Sequence, residues 1–340
     1  MLILIILILG AAFLLYTLLG GADFSAGIIE IFAGKREEVT ISRAIAPVWE
    51  ANHVWLILAV VILFTGFPDV YSSLSIVLHI PLMVVLIGII IRGTAFTFRH
   101  YDVVVDRSHK YYTLMFRISS LITPVFLGVI LGAMMLGRIS FDPTRSYYDI
   151  YWAPWLNIFC FAMGIFSTFL FAYISATFLE GETIIDRERK MYVRLSKRFL
   201  ILTMVAGLAV FAISQWEGTQ LVNDFLRAPI SIACLLGATL ISPIIWMFLG
   251  RERNKTVYLR IGVSIQVMLI LVGWFSIQFP VLIKVNSETS LTFFNTQAPE
   301  ATLQQLLIAL VTGLVIIIPG FIYLFKVFKI KNPTTGKGNR

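Results

Sequence analysis

Charged residues are scarce in this chain. They make up 14% of its 340 residues, whereas a soluble domain carries about 25%. Hydrophobic residues make up 58%, and they stand in long runs without the two-residue alternation that membrane β-barrels require. A helix satisfies its own backbone hydrogen bonds in lipid. The composition therefore excludes a soluble enzyme and predicts an all-α integral membrane protein.

Cysteine is nearly absent as well. The two cysteines, Cys160 and Cys234, both lie inside apolar runs. No Cys-x-x-Cys or Cys-x-x-Cys-His spacing occurs, which excludes covalently attached haem c and thiolate metal centres. The same positions argue against a disulfide framework.

The chain has only four histidines. A haem held by two histidines needs them on facing helices at matching depth. Here one lies near the predicted cytoplasmic side, one lies near the predicted outer side, and two lie in a predicted loop. The single Glu-x-x-His pair is half of what a di-iron bundle requires. We therefore predict no metal and no bis-histidine haem here, while a single histidine completed by another subunit stays open. The histidines are His53, His79, His100 and His109.

Nine stretches are long enough to cross a membrane, which takes about 20 mostly apolar residues. The first has no Lys or Arg before it and is too long for the apolar region of a signal peptide, so we count it as a span. The predicted spans are 2–22, 50–68, 74–97, 117–137, 155–178, 199–215, 229–249, 258–283 and 303–327.

Lysine and arginine are distributed unequally between the two sides of the predicted spans. When each loop is counted with its adjoining span ends, 23 of the 27 basic residues fall on one side. The basic side faces the cytoplasm, so we place the N-terminus outside and the C-terminus inside. The net charge of +8 then reflects loops rather than nucleic-acid binding. We predict two four-helix bundles plus one peripheral helix, in a single polytopic domain over 1–330 with a polar cytoplasmic tail over 331–340.

Three charged residues lie near the predicted cytoplasmic ends of spans. Asp23 ends the first span, Glu50 begins the second, and Arg92 lies in the last third of the third. Charges at membrane depth are costly and often mark function. One interpretation is a cytoplasm-facing pocket in which two carboxylates exchange protons and Arg92 balances their charge. The other is a set of helix caps and snorkelling side chains at the membrane surface.

The second span opens with polar residues, in "APVWEANHVWL". Glu50 and His53 are three residues apart on one helix face, which predicts a hydrogen bond or a proton relay between them. We expect Asn52 to share polar contacts with Asp23 across the interface between spans 1 and 2. Asp23, Glu50, Asn52 and His53 together form the candidate proton path.

Aromatic residues make up 14% of the chain, and two interpretations are open for them. They can line a groove for an isoprenoid quinone, or they can simply face lipid. Trp49 and Trp55 flank the polar start of the second span, and tryptophan is enriched at membrane–water interfaces. We predict that both tryptophans anchor the helix at that interface.

Four motifs together resemble a known family. In order and spacing they are similar to the second subunit of cytochrome bd-type quinol oxidases, and the likeness covers nearly the whole chain. The W-[DE]-x-N-x-V-W-L pattern is the most specific part. The motifs are "GGADFSAG" after span 1, "APVWEANHVWL" entering span 2, "IRGTAFTFRHY" ending span 3 and "SLTFFNTQAPEATLQQLL" leading into span 9.

The resemblance implies a complex in the cell membrane of a prokaryote that oxidises quinol and reduces dioxygen to water. It implies that a large first subunit holds haem b and haem d, that a small single-span subunit is a further partner, and that this chain contributes a cytoplasmic proton path. The family's acids at the ends of spans 1 and 2 correspond to Asp23 and Glu50. One departure is Gly20, which stands where the family usually has an additional acid.

Two other classes of function stay open from the residues alone. A proton-coupled secondary transporter would use Asp23, Glu50 and Arg92 for ion coupling. Transporters usually contain paired broken helices, and the prolines of this chain show no repeated pattern of that kind. An assembly scaffold without chemistry would tolerate neutral replacement of the acids.

Overall fold

The computed structural model describes residues 1–33, 35–46, 49–101, 108–183, 185–251, 255–285 and 290–327, with side chains for all of these except 35–37, 50, 100, 101 and 325. Within these ranges the chain is mostly helical, with one two-stranded hairpin. The predicted tail over 331–340 lies outside the described residues.

The helices follow one another through short connections. The strands β1 (Val281–Ile283) and β2 (Leu291–Thr292) pair antiparallel before the last helix. In chain order the helices are α1 (Leu2–Leu15), a π-helical turn (Tyr16–Gly20), α2 (Gly21–Phe24), α3 (Ala26–Ile31), α4 (Lys35–Ile45), α5 (Trp49–Gly66), α6 (Pro68–Val77), α7 (His79–Tyr101), α8 (Ser108–Leu136), α9 (Tyr147–Tyr151), α10 (Ile158–Glu180), α11 (Asp186–Trp216), α12 (Leu221–Arg227), α13 (Pro229–Phe248), α14 (Thr256–Gln278) and α15 (Glu300–Phe325).

Among the described residues, eight helical segments are long and apolar enough to cross a membrane, and the bent pair of α5 and α6 raises the number to nine. The two helices of that pair meet at 113°. Pro68 begins α6, and because proline lacks an N–H it is suited to a first helical turn and cannot continue α5. The prediction of an all-α integral membrane protein with about nine spans is confirmed.

The first span extends further than its hydropathy predicts. It runs over Leu2–Ile31 and so ends nine residues beyond the predicted boundary at residue 22. Small residues let other helices approach its second half. A Cβ at Gly21, for example, would lie 2.9 Å from the Phe171 ring of α10.

Other helices also continue beyond the apolar stretch. Helix α11 begins at Asp186, whereas the predicted sixth span begins at 199. Glu188 and Tyr192 are buried in these added turns. Hydropathy detects only the part of a helix that is apolar on all sides, so a charged helix that extends past the lipid and packs on protein is underestimated.

Two apolar clusters fill the interior. One combines the N-terminal part of α1 with the C-terminal part of α8, and the other combines α3, the N-terminal part of α8 and the C-terminal part of α10. Helix α10 is central and packs against both α8 and α11. Helix α15 contacts α1 and α5 but leaves Val315, Ile316 and Ile322 at least 63% exposed, so it is the peripheral helix of the fold.

Candidate functional site

A buried ion pair joins the first and third predicted spans. Arg92 of α7 donates through Nη2 to Asp23 Oδ1 at 2.7 Å and to the Asp23 carbonyl oxygen at 2.5 Å. The two residues are 1% and 3% exposed. The guanidinium also lies 5.2 Å from the ring centre of Phe24 and 5.1 Å from that of Phe116, which favours a cation. Asp23, a predicted acid of the proton path, and Arg92, the predicted charge-balancing residue, are therefore direct partners.

This ion pair leaves several of its polar atoms without a bond. Within the described part of the chain, Asp23 Oδ2 and Arg92 Nε and Nη1 are buried and have no hydrogen-bond partner. A buried ion pair compensates for its desolvation only when its remaining polar atoms are also bonded. Stability is thus a weak explanation for the pair, and unsatisfied buried groups of this kind are explained by bound water or by a functional role.

Two more polar side chains lie beside the ion pair. The His53 ring centre is 5.7 Å from that of Phe24 and 6.4 Å from that of Tyr16. Tyr16 Oη and His53 Nδ1 are buried, and neither has a partner among the described residues. Tyr16 begins the π-helical turn, a geometry often found at functional sites. The sequence analysis did not identify Tyr16, because a tyrosine in an apolar run gives no signal of its own.

Asn52 bonds to the first span through a different partner from the one predicted. Its Nδ2 donates to the carbonyl oxygen of Leu19 at 3.2 Å, and no hydrogen bond to Asp23 is present. Leu19 lies in the π-helical turn, where the helical hydrogen-bond register changes and the backbone presents this carbonyl to α5. Asn52 Oδ1 is buried and unbonded in the described part of the structure.

The side chain of Glu50 lies outside the described residues, although its backbone belongs to α5. Glu50 and His53 share a helix face because they are three residues apart. Their predicted contact, and the place of Glu50 in the proton path, remain predictions.

The two tryptophans pack against neighbouring helices, Trp55 buried and Trp49 partly buried. The Trp55 ring is stacked on Phe321 of α15 at 5.4 Å, and Trp55 is 7% exposed. The Trp49 ring lies 5.4 Å from Phe96 of α7, and a Cβ on Gly93 would lie 3.2 Å from it. Helix α7 therefore covers Trp49 and helix α15 covers Trp55, on different sides of α5, and the role of both as interfacial anchors remains a prediction.

A second charged cluster lies beyond the predicted end of the first span. Glu30, which is 0% exposed, accepts from Arg99 Nη1 at 2.8 Å through both carboxylate oxygens and from Arg117 Nε at 3.1 Å. Arg99 Nη1 also contacts Glu38 Oε1 at 3.4 Å, and Thr113 donates to the same oxygen at 3.0 Å. We call these five residues the Glu30 cluster.

The sequence analysis missed Glu30 because it placed the end of the span at residue 22. A signal was nevertheless present in the spacing. Asp23 and Glu30 are seven residues apart, and so are their partners Arg92 and Arg99. Seven residues are about two helical turns, so two helices that run in the same direction bring both pairs together on one shared face.

His53 and His79 are not placed to hold one haem between them. The His53 ring packs beside Tyr16 and Phe24, near the start of α5. His79 begins α7, with Nδ1 2.9 Å from the Ile76 carbonyl oxygen and its ring 5.4 Å from that of Tyr151. The two rings lie at opposite ends of the bundle and cannot ligate one haem. In the described ranges, no group of three or more His, Cys, Asp or Glu residues is placed to hold a metal ion.

The second half of the chain contains a polar network of a different kind. Tyr173 of α10 donates to Gln266 Oε1 at 2.9 Å. Gln266 Nε2 donates to Ser242 Oγ at 2.8 Å and to the Ala238 carbonyl oxygen at 3.0 Å. We call Tyr173, Gln266 and Ser242 the Gln266 network. Its members are neutral, and each polar atom named here has a partner.

A charged pair near the end of α10 provides a counterpart to the Glu30 cluster. Arg260 of α14 bonds to Glu182 at 2.9 Å, much as Arg117 of α8 bonds to Glu30. Glu182 has a side chain that is 24% exposed, whereas that of Glu30 is 0% exposed. The two acids are therefore matched in partner type but not in burial.

Comparison with known proteins gives consistent results along the chain. The family described as "Cytochrome bd terminal oxidase subunit II" matches residues 1–328. The Bacillus subtilis protein named "Cytochrome bd ubiquinol oxidase subunit 2" is 25% identical, over 95% of this chain and 94% of its own length. A second B. subtilis protein, "Putative cytochrome bd menaquinol oxidase subunit II", is 24% identical over 96% of this chain and 95% of its own length.

A solved structure agrees with the fold. A chain of the bd oxidase from Geobacillus thermodenitrificans superposes with a TM-score of 0.78, covering 97% of this chain and 98% of its own, at 20% identity. At that identity the likeness concerns the fold alone. The match over residues 1–328, with the paired Asp23 and Arg92 inside the resembling motifs, shows that this chain belongs to the cytochrome bd terminal oxidase subunit II family.

Proposed function

We propose that this chain is the non-haem-ligating subunit of a quinol:dioxygen oxidoreductase and carries part of its cytoplasmic proton path. The family is one of bd oxidase subunits in the cell membrane, whose complexes contain haem and a first subunit. We propose that the first subunit holds haem b and haem d, because His53 and His79 of this chain are not placed to hold one haem between them. A small single-span subunit, membrane lipid and quinone are further proposed partners.

One observation carries the proton-path proposal. Asp23 is buried against Arg92, yet one of its carboxylate oxygens has no partner within the described residues. Tyr16, Asn52 and His53 add further buried polar atoms that are unbonded in the same part of the structure. Such a cluster is costly as a purely structural feature, and a carboxylate, an imidazole and a phenol can all exchange protons.

The predicted orientation gives the cluster a direction. Asp23, Glu50 and Arg92 all lie toward the side that carries 23 of the 27 basic residues, which is the cytoplasmic side. Reduction of dioxygen to water consumes protons, and a buried site must receive them from one side. Uptake from the cytoplasm, with release of the quinol protons outside, separates charge across the membrane without a pump.

Neutral replacement of the two acids tests this proposal. In the purified complex we expect Asp23→Asn and Glu50→Gln to lower quinol-driven oxygen consumption per haem by about tenfold or more, the low end of what a positioned proton-transfer group contributes. Haem content should stay near that of the wild type. Glu182→Gln is the control, because it removes an acid from an ion pair outside the site.

Oxygen consumption at wild-type rates in both variants would contradict the proton path and favour a purely structural subunit. Activity in a preparation that contains no haem would instead favour a transporter. The quinol is proposed only as a class, since the names of the two B. subtilis relatives specify ubiquinol in one case and menaquinol in the other.

A further inference from the structure

We propose that Glu30 is the acid through which protons reach Asp23 in this chain, with the Ser120 hydroxyl beside the helix face that joins them. This inference rests on the proposed proton path through Asp23. It goes beyond that path by assigning its entrance to a residue outside the motifs of the family resemblance.

The two acids belong to two ion pairs that follow one another between the first span and α7. Asp23 is paired with Arg92, and Glu30 is paired with Arg99, each at equal spacing along its helix. Phe116 of α8 lies between the two arginines, with its ring centre 5.1 Å from the Arg92 guanidinium carbon and 4.4 Å from that of Arg99. Both ion pairs therefore lie on one face of the first span, and the Phe116 side chain contacts both arginines.

A buried hydroxyl group lies beside the helix interval that separates the two acids. Seven residues of helix rise by about 10 Å, which is too far for direct transfer. Ser25 and Ser120 are both 0% exposed, and their hydroxyls have no hydrogen-bond partner among the described residues. Of the two, Ser120 is the one that faces the interval between Asp23 and Glu30, because Ser25 is only two residues from Asp23 and such residues do not share a helix face. Its hydroxyl can both donate and accept.

Gly27 explains why a hydroxyl fits there. It lies four residues after Asp23 and three before Glu30, and so on the same helix face. A Cβ at this position would lie 2.3 Å from Ser120 Oγ and 2.5 Å from Ser120 Cβ. The missing side chain is what lets the Ser120 hydroxyl occupy the gap between the two acids.

Glu38 gives the Glu30 cluster its contact with solvent. The Glu38 side chain is 17% exposed and, through Arg99 Nη1, shares a cation with Glu30. Arg117, the other partner of Glu30, has a side chain that is 31% exposed. The cluster thus extends from partly exposed groups to a fully buried carboxylate. Two acids and two arginines also keep it neutral overall.

The proton balance is simple. A proton from cytoplasmic water converts the Glu30 carboxylate to the carboxylic acid. Glu30 then releases a proton to the Ser120 hydroxyl, which rotates to pass one of its own toward Asp23, with water completing the interval, and Glu30 returns to the carboxylate. Each cycle moves one proton from the cytoplasm toward the buried Asp23, and only O–H bonds are broken and formed.

The test uses the purified complex with Glu30→Gln, Glu30→Asp, Asp23→Asn and the control Glu182→Gln. Oxygen consumption per haem is measured with excess quinol in H2O and in D2O. We expect Glu30→Gln to lower turnover by about tenfold or more at normal haem content, with an increased solvent isotope ratio. Glu30→Asp, which keeps the acid, should recover most of the rate, and Glu182→Gln should leave both readouts unchanged.

The outcomes separate the two proposals. Slow turnover in Asp23→Asn together with wild-type turnover in Glu30→Gln would overturn the entrance through Glu30 and leave the path through Asp23 intact. Wild-type turnover in Asp23→Asn would overturn both. A slow Glu30→Gln that Glu30→Asp does not restore, with an unchanged isotope ratio, would mean that Glu30 acts only in packing.

Glu30→Gln leaves two arginines with less charge compensation, which lowers the stability of the complex. The double variant Glu30→Gln/Arg117→Gln restores neutrality while still removing the acid. Slow turnover in an assembled double variant supports the proposal. Wild-type turnover in it would overturn the proposal.

Discussion

The two halves of this chain each bury a polar network inside the bundle, and the two networks differ in charge and in completeness. The Gln266 network is neutral, and its hydrogen bonds are formed throughout. The Asp23–Arg92 site consists of ionisable side chains, and several of its atoms are unbonded within the described residues. A satisfied buried network makes a structure rigid and specific, whereas a partly satisfied one is costly. The difference between these two networks is what the proposed proton path predicts, since a path for protons needs groups that can still form bonds.

The largest expected effect comes from breaking the ion pair on one side. Arg92→Gln leaves Asp23 as an uncompensated buried charge, and removal of one partner from such a pair costs about 3–5 kcal/mol. We expect a lower unfolding temperature of the purified complex and poor recovery of assembled protein.

The double variant Asp23→Asn/Arg92→Gln is the matched control for that loss. It removes both charges, so it should recover most of the stability while its oxygen consumption stays low. An unfolding temperature of Arg92→Gln equal to that of the wild type would show that the pair contributes nothing to the fold.

Overpacking gives the next effect in size. Gly27→Ala places a methyl group against Ser120, and overpacking of this kind costs about 1–3 kcal/mol. Thermal unfolding of the complex should detect it, and a second substitution, Ser120→Gly, should relieve it. Gly262→Ala on α14 is the control, because a Cβ there would meet Ile245 Cγ1 at 3.5 Å, an ordinary contact. Equal effects of the two alanines would contradict the close approach of α8 to α3.

A matched pair of tyrosines gives the smallest and sharpest test of the comparison. Tyr173→Phe removes the donor to Gln266 Oε1, and an acceptor left unsatisfied in the interior costs about 1–3 kcal/mol. Tyr16→Phe removes a hydroxyl that has no partner in the described structure, so we expect no loss of stability. Unfolding temperatures of the two complexes measure the difference, and oxygen consumption per haem should be unchanged in Tyr173→Phe. Equal destabilisation by both would remove the distinction between the two networks.

The candidate site was predictable in part. Asp23 and Arg92 each stand out in the sequence because a charge near an apolar run is costly, and their motifs resemble a known family. Asn52 was predicted to contact the first span, and it does so through the Leu19 carbonyl oxygen rather than through Asp23. Glu30 was missed, because hydropathy ends the first span at residue 22 while the helix continues to Ile31.

Composition and the order of charges determined the class of this protein. The apolar runs required membrane helices, and the distribution of Lys and Arg set their predicted orientation. Both the hydropathy of a segment and the basic charge of a loop are added up along the chain, so neither depends on which helices pack together. Only the tertiary structure decided which side chains meet. The pairing of Glu30 with Arg99, the burial of Trp55 against α15 and the turn of the Leu19 carbonyl toward Asn52 all depend on how helices are rotated about their axes. That rotation is set by close contacts such as those at Gly21 and Gly27, where packing between distant segments outweighs any local preference.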